Sequence, residues 1–180
     1  MATNAITKWA LDSAHSEVGF KVKHLMISTV SGRFQKIEGT VETDGDDFTT
    51  AKVNFSGEVS SIHTGNEQRD GHLQSPDFFD AAKYPTIKFT STKVEKVSGS
   101  EYKLTGDLTI RDKTNSIQLD VEAGGVAKDP YGNTKAGFTI SGKLNRKNWD
   151  LNFNVPLEGG GVVVGEEVKL NAEVQFAKQA

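Results

Sequence analysis

Apolar and polar residues alternate with a period of two along most of this chain, and no other property limits its fold so strongly. Val18, Phe20 and Val22 alternate with Gly19, Lys21 and Lys23, and Val53, Phe55 and Val59 with Asn54, Ser56 and Glu58. Tyr102, Leu104, Leu108 and Ile110 repeat the pattern, as do Ile117, Leu119 and Val121. So do Ala136, Phe138, Ile140 and Leu144, and finally Val168, Leu170, Ala172, Val174 and Phe176. This period places every second side chain on the same face of an extended strand. Each run therefore has one dry face and one wet face. Strands of a parallel sheet, covered on both sides, would read as unbroken apolar runs instead. The sheet is expected to be antiparallel with a single apolar side.

Turn-forming clusters separate the runs, among them Asp44-Gly45, Ser98-Gly99-Ser100, Asp112 to Asn115 and Asp129-Pro130. Two weaker runs add strands. One covers Gly32 to Thr43, with a phase shift near Lys36 to Glu38 that implies a bulge; the other covers Pro85 to Val97. The spacing predicts about eight strands, and a sheet of that size with one dry face must close to hide it. The expected class is all-β, an extended eight-stranded antiparallel barrel with short helical inserts. Two segments lack the alternation. His24 to Ser31 reads as a short helical turn or loop, and Asn66 to Asp80 as one or two short helices, the second begun by Pro76.

The length of 180 residues suits one domain over the whole chain. Its 21 basic and 24 acidic residues are interspersed, giving a net charge of −3. No basic stripe is present to meet nucleic acid, nor a broad basic patch to meet a membrane surface. With no cysteine, disulfides, thiolate metal sites and thiol nucleophiles are excluded. No run is long enough for a membrane-spanning helix. The opening residues lack a basic stretch followed by an apolar core, so the chain as written reads as cytoplasmic, or periplasmic if a leader has been removed. Gly159-Gly160-Gly161 lacks the Lys-Ser/Thr of a phosphate loop, and no nucleophile elbow stands out.

An eight-stranded barrel is either just filled by its own side chains or holds one small ligand. If it holds one, the expected wall is Val18, Phe20, Val22, Phe34, Phe55, Val59, Phe78, Phe89, Leu104, Leu108, Ile110, Leu119, Val121, Phe138, Ile140 and Trp149. Small inward residues (Gly57, Gly106, Ala123, Gly142 and Ala172) either leave room or relieve strain at barrel bends. Such a wall suits a hydrocarbon chain, since burial yields about 0.8 kcal/mol per CH₂. Candidate head-group contacts are His15, His24, Arg69 and His72. Each has a structural alternative: His15 and His24 as hydrogen-bonded turn or core residues, Arg69 with Asp70 as a pin for the helical insert. His63, Asp70 and His72 match no metal-binding spacing, and neither a metal nor a cofactor is expected.

The residues also carry a resemblance. Trp9-Ala10-Leu11-Asp12 is followed by His15-Ser16, Val18 to His24, and Val30-Ser31-Gly32-Arg33-Phe34. Then come Arg69-Asp70, His72-Leu73, Asp77-Phe78-Phe79-Asp80, Tyr84-Pro85, Leu104 to Ile110, Asn145-Arg146 and Val164-Gly165-Glu166-Glu167-Val168. In this order and spacing the set, over about residues 9–176, resembles the YceI-like family of polyisoprenoid-binding, lipocalin-like barrel proteins. The resemblance implies a long internal pore that takes isoprenoid quinone-like or other amphiphilic lipids, a non-catalytic role in binding, storage or transport, and a homodimer. The chain departs from the pattern at Asp150, where the family has Gly, and over Asn152 to Gly161. Two other readings stand beside it: an enzyme acting on a small apolar substrate, and a stress-related interaction protein whose barrel is filled.

Overall fold

The computed structural model of the chain describes residues 5–158 and 162–180. The triple glycine at 159–161 lies outside the described residues. The strands are β1 (Ile6–Leu11), β2 (Glu17–His24), β3 (Ser28–Phe34), β4 (Ile37–Asp44), β5 (Asp47–Glu58) and β6 (Ile62–His63). After the helix α1 (Glu67–Leu73) come β7 (Thr86–Ser98), β8 (Glu101–Ile110), β9 (Lys113–Lys128), β10 (Thr134–Asn145) and β11 (Val164–Lys178). Pairing runs β1-β4-β5-β7-β8-β9-β10-β11, and β11 returns to β1, which closes an eight-stranded antiparallel ring. The remaining segments extend its walls. β11 pairs with β1 through Phe176 to Lys178 and with β2 through Val168 to Glu173, so β1 and β2 form one long wall bent at a 3₁₀ turn over Ser13–His15. β3 and β4 make a second such wall, broken at Gln35 and Lys36. That break is the expected phase shift: Phe34 and Ile37, three residues apart, are both buried.

The expectations for the two irregular segments are each narrowed to one of their alternatives, with shorter bounds. His24 to Ser31 is not helical; β2 runs through His24, the chain reverses at Leu25-Met26-Ile27, and β3 begins at Ser28. Asn66 to Asp80 forms one helix, α1, started by the Asn66 side chain accepting from the Arg69 N–H at 3.0 Å. No second helix follows Pro76. The N–H groups of Phe78, Phe79, Asp80 and Ala81 turn back to the carbonyls of Ser75, Leu73, Ser75 and Gln74, and Asp80 closes the curl at φ +52°.

The inward alternation builds a core of Phe34, Ile37, Ile62, Ile87, Phe89, Leu104, Leu108, Leu119 and their neighbours. At two small inward positions the space is already taken. A Cβ at Gly106 would lie 2.4 Å from Cζ of Phe89, and one at Gly142 2.5 Å from Cδ2 of Leu119. These glycines therefore let a neighbouring strand's side chain lie flat across the sheet rather than widening the lumen. Among the described residues no helix is long and apolar enough to cross a membrane.

Candidate functional site

Inside the ring lies a cavity of about 440 Å³. Its wall comes from most of the strands and is almost wholly apolar. Val18, Phe20 and Val22 of β2, Phe55 of β5, Ile140 of β10, and Val168 and Leu170 of β11 point inward yet are only half-buried. Inward side chains of a filled barrel would be closed off; these keep accessible surface because they face empty lumen. A smaller cavity of about 80 Å³ lies beyond a waist of Val53, Leu104, Ile140 and Phe176, which line both spaces.

Polar groups gather at one end of the larger cavity. His24 closes β2, Arg69 and His72 lie on α1, and Arg146 follows β10. Contacts tie them together. The His72 ring meets Phe153 at 4.8 Å and Phe78 at 5.1 Å between centroids. Arg146 donates to the Phe153 carbonyl at 2.9 Å, and His24 is in register with Val164, whose carbonyl Arg146 also reaches. No carboxylate stands on the cavity wall among the described residues, although Asp77 sits behind His72 at 2.9 Å. This end is therefore rich in donors and suits an oxygen-bearing group.

The guanidinium of Arg146 is 3% exposed and has no carboxylate in direct contact among the described residues. It donates through Nε to Gly165 O, through Nη1 to Leu151 O and Phe153 O, and through Nη2 to Val164 O. Burial pulls its pKa below the ordinary arginine value, and the nearby Glu166 partly offsets this. Arginine remains charged at neutral pH regardless.

Most of the expected wall residues do line this cavity: Val18, Phe20, Val22, Phe34, Phe55, Phe78, Phe89, Leu104, Leu108, Ile110, Leu119 and Ile140. Four do not. Val121 and Phe138 line the smaller cavity beyond the waist. Val59 lies in a 3₁₀ turn after β5 ends at Glu58, so the alternation no longer governs its direction, and it packs into the core. Trp149 is 1% exposed, with its indole N–H donating to Leu108 O at 2.8 Å, and fills the core beside the cavity. Of the four polar candidates, His24, Arg69 and His72 reach the wall. Arg69 also serves as the pin: Nε and Nη2 donate to Oγ1 and O of Thr64, both at 2.8 Å, while Asp70 accepts from the Thr64 N–H at 2.9 Å. His63 approaches Asp70 at 3.8 Å but His72 turns to Asp77, and no group of three metal-ligating side chains forms among the described residues. Arg146, Phe153, Val163 and Leu73 line the cavity without having been singled out. Phe153 continues the alternation from Trp149 and Leu151; Arg146 carried no signal beyond its place in the family pattern.

His15 lies away from the cavity. It is held on the outer surface at 2.9 Å from Asp12, whose carboxylate also takes Lys135 Nζ at 2.6 Å. The hydrogen bonds from Lys135 and then His15 hold the Asp12 carboxyl down at about 2. A carboxylate with a lowered folded-state pKa adds stability above its unfolded value and loses it as pH falls through the folded one. Unfolding stability is accordingly expected to drop as pH falls from 3.8 to about 2. Asp12→Asn should remove about 1 kcal/mol at neutral pH, a modest figure because water still reaches the group, and should flatten this part of the pH profile. Urea titrations across pH measure both effects.

A closed antiparallel eight-stranded barrel around an apolar cavity with donors at one end defines a ligand-binding barrel protein. The chain belongs to the YceI-like domain family, which matches residues 9–176. It is 43% identical over 173 residues to UPF0312 protein SAS2572 of Staphylococcus aureus, covering 96% of this chain and 98% of that protein. Among solved structures it is similar to the Campylobacter jejuni YCEI protein, at 37% identity and a TM-score of 0.76, covering 94% of this chain and 96% of that one. A polyisoprenoid binding domain from Saccharophagus degradans shares the fold at a TM-score of 0.66 and 14% identity, over 95% of this chain and 98% of that one.

Proposed function

We propose that this protein binds, without transforming it, one amphiphilic lipid of isoprenoid type, with the hydrocarbon in the barrel cavity and an oxygen-bearing head near His24, Arg69, His72 and Arg146. The observation that carries this reading is the apolar cavity of about 440 Å³ whose inward side chains keep accessible surface. Each five-carbon unit buried contributes about 4 kcal/mol gross. A few units outweigh the ~4–15 kcal/mol cost of association without any head-group contact. The donors then set orientation. The fold likeness to a domain described as polyisoprenoid binding supports the same ligand class. Storage and carriage between compartments are both compatible with this chemistry. An open lumen counts against the filled-barrel alternative.

Protein purified without detergent is expected to release a near-stoichiometric prenyl lipid on organic extraction, identified by mass spectrometry. Delipidated protein is expected to take up geranylgeraniol in a calorimetric titration. A clean extract together with no uptake overturns the reading. Val18→Trp places an indole in the lumen near the start of β2, where space already exists. It is expected to weaken geranylgeraniol binding at least ~10-fold with little change in Tm, because the added volume fills a void instead of straining a packed core. Unchanged affinity would place the ligand elsewhere.

A further inference from the structure

We propose that the β2–β3 hairpin tip, Leu25-Met26-Ile27, docks into a phospholipid bilayer and opens the cavity to it. What the docking accomplishes rests on the lipid-binding reading; the docking itself is tested separately. Leu25 and Met26 hold φ values of +53° and +61°, a region that non-glycine L-residues largely avoid. Asn-Gly is the favoured pair at such tips. This chain keeps two branched or long apolar side chains there, followed by Ile27, and they pack little: Met26 is 58% exposed and Ile27 83%. Backbone strain combined with exposed apolar surface has no folding benefit and marks a functional position.

The tip is also in the right place. The Leu25 N–H donates to Val163 O at 2.8 Å, and the Val163 N–H to Val155 O at 3.1 Å, which joins the exposed Val155 to the same projection. Immediately below, His24 and Val163 are cavity wall, so apolar surface runs from the tip into the lumen. Lys21 and Lys23 are exposed on the outer face of β2 beneath the tip. The acidic residues facing them, Glu166 and Glu167, are paired with Lys147 and Lys143, which leaves a positive collar for lipid phosphates. A convex tip of three side chains falls far short of the roughly 800 Å² per partner of a stable protein interface. It suits insertion among acyl chains, and a lipid leaving a bilayer there would not have to cross water.

The test is co-sedimentation with vesicles of phosphatidylcholine alone or mixed with phosphatidylglycerol. It compares the wild type with the triple variant Leu25→Asn/Met26→Gly/Ile27→Ser, which gives the turn its preferred residues and removes the apolar side chains. The wild type is expected to bind, several-fold more tightly when phosphatidylglycerol is present. The variant is expected to bind at least ~10-fold more weakly, with Tm equal to or a few degrees above the wild type's. Transfer of geranylgeraniol from vesicles should slow in the variant, while uptake of the same prenol added from ethanol should not change. The proposal is overturned if the wild type fails to sediment with either vesicle, or if the variant sediments equally. It is also overturned if light scattering shows a dimer that the variant abolishes, in place of vesicle binding. Loss of ethanol-delivered uptake in the wild type would instead defeat the lipid-binding reading.

Discussion

Trp149→Ala is expected to lower the unfolding free energy by about 4 kcal/mol, the usual range for deleting a buried indole, and to lower Tm by roughly 10 °C. The side chain is 1% exposed and packs with the core cluster that includes Leu108, Ile110 and Leu144. It also closes a gap. Pairing between β9 and β10 ends at Asp120 and Ser141, beyond which the two walls separate. The 3₁₀ turn Arg146–Trp149 fills the opening, with Asn115 Nδ2 donating to Asn148 O at 2.7 Å and Trp149 Nε1 to Leu108 O at 2.8 Å. Alanine would leave a cavity between separated walls and an unmet carbonyl on β8. Trp149→Phe isolates the second effect, since it keeps most of the volume and loses the donor; a cost of about 1–2 kcal/mol is expected. Urea unfolding followed by circular dichroism decides the matter, and a loss under 1 kcal/mol for the alanine variant would mean the walls close without the indole.

Arg146→Met is expected to cost a similar amount, about 4 kcal/mol, because one buried cation satisfies carbonyls from two separate stretches of backbone. Leu151 and Phe153 and the first residues of β11, Val164 and Gly165, converge on its guanidinium at the end of β10. Methionine fills comparable space but donates nothing, so the Leu151, Phe153 and Gly165 carbonyls lose this donor, while Val164 O keeps Asn154 Nδ2 at 2.8 Å. Arg146→Lys should recover less than half of the loss, since an ammonium is a point donor and cannot span the fork. Hydrogen exchange should show the earliest loss of protection in the amides of residues 151–155 and 163–166. Arg146 is also cavity wall, so affinity for geranylgeraniol should fall even under conditions where the variant stays folded. A variant as stable as the wild type would mean that water replaces the guanidinium at these carbonyls without penalty.

The alternation was enough to read the strands, their antiparallel pairing and the inward parity of nearly every wall residue, because a period of two reports local backbone geometry directly. It failed where the backbone leaves that geometry. His24 to Ser31 looks irregular by composition, yet it is a hairpin whose tip residues take positive φ. Pro76 signals a helix start, but the following N–H groups bond backwards and the chain curls. The family's Gly at 150 is replaced by Asp, and the turn survives: Asp150 adopts φ +60° and ψ +23°, a region that Asp tolerates better than most residues, and its carboxylate lies 3.5 Å from Lys113.

By itself the sequence determined that the chain forms a closed antiparallel barrel of the YceI-like family with a dry interior. Only the tertiary structure decided how that interior is divided. Parity states that a side chain points inward, not what it meets there. Phe89 and Leu119 cover the glycines of adjacent strands, Val121 and Phe138 fall beyond a waist, and Trp149 plugs a gap between walls, while Val18, Val168 and Leu170 face open space. The physical reason is that a lumen is a property of several walls at once. Its size depends on long-range register and on which neighbours interdigitate, and no local pattern along one strand carries that information.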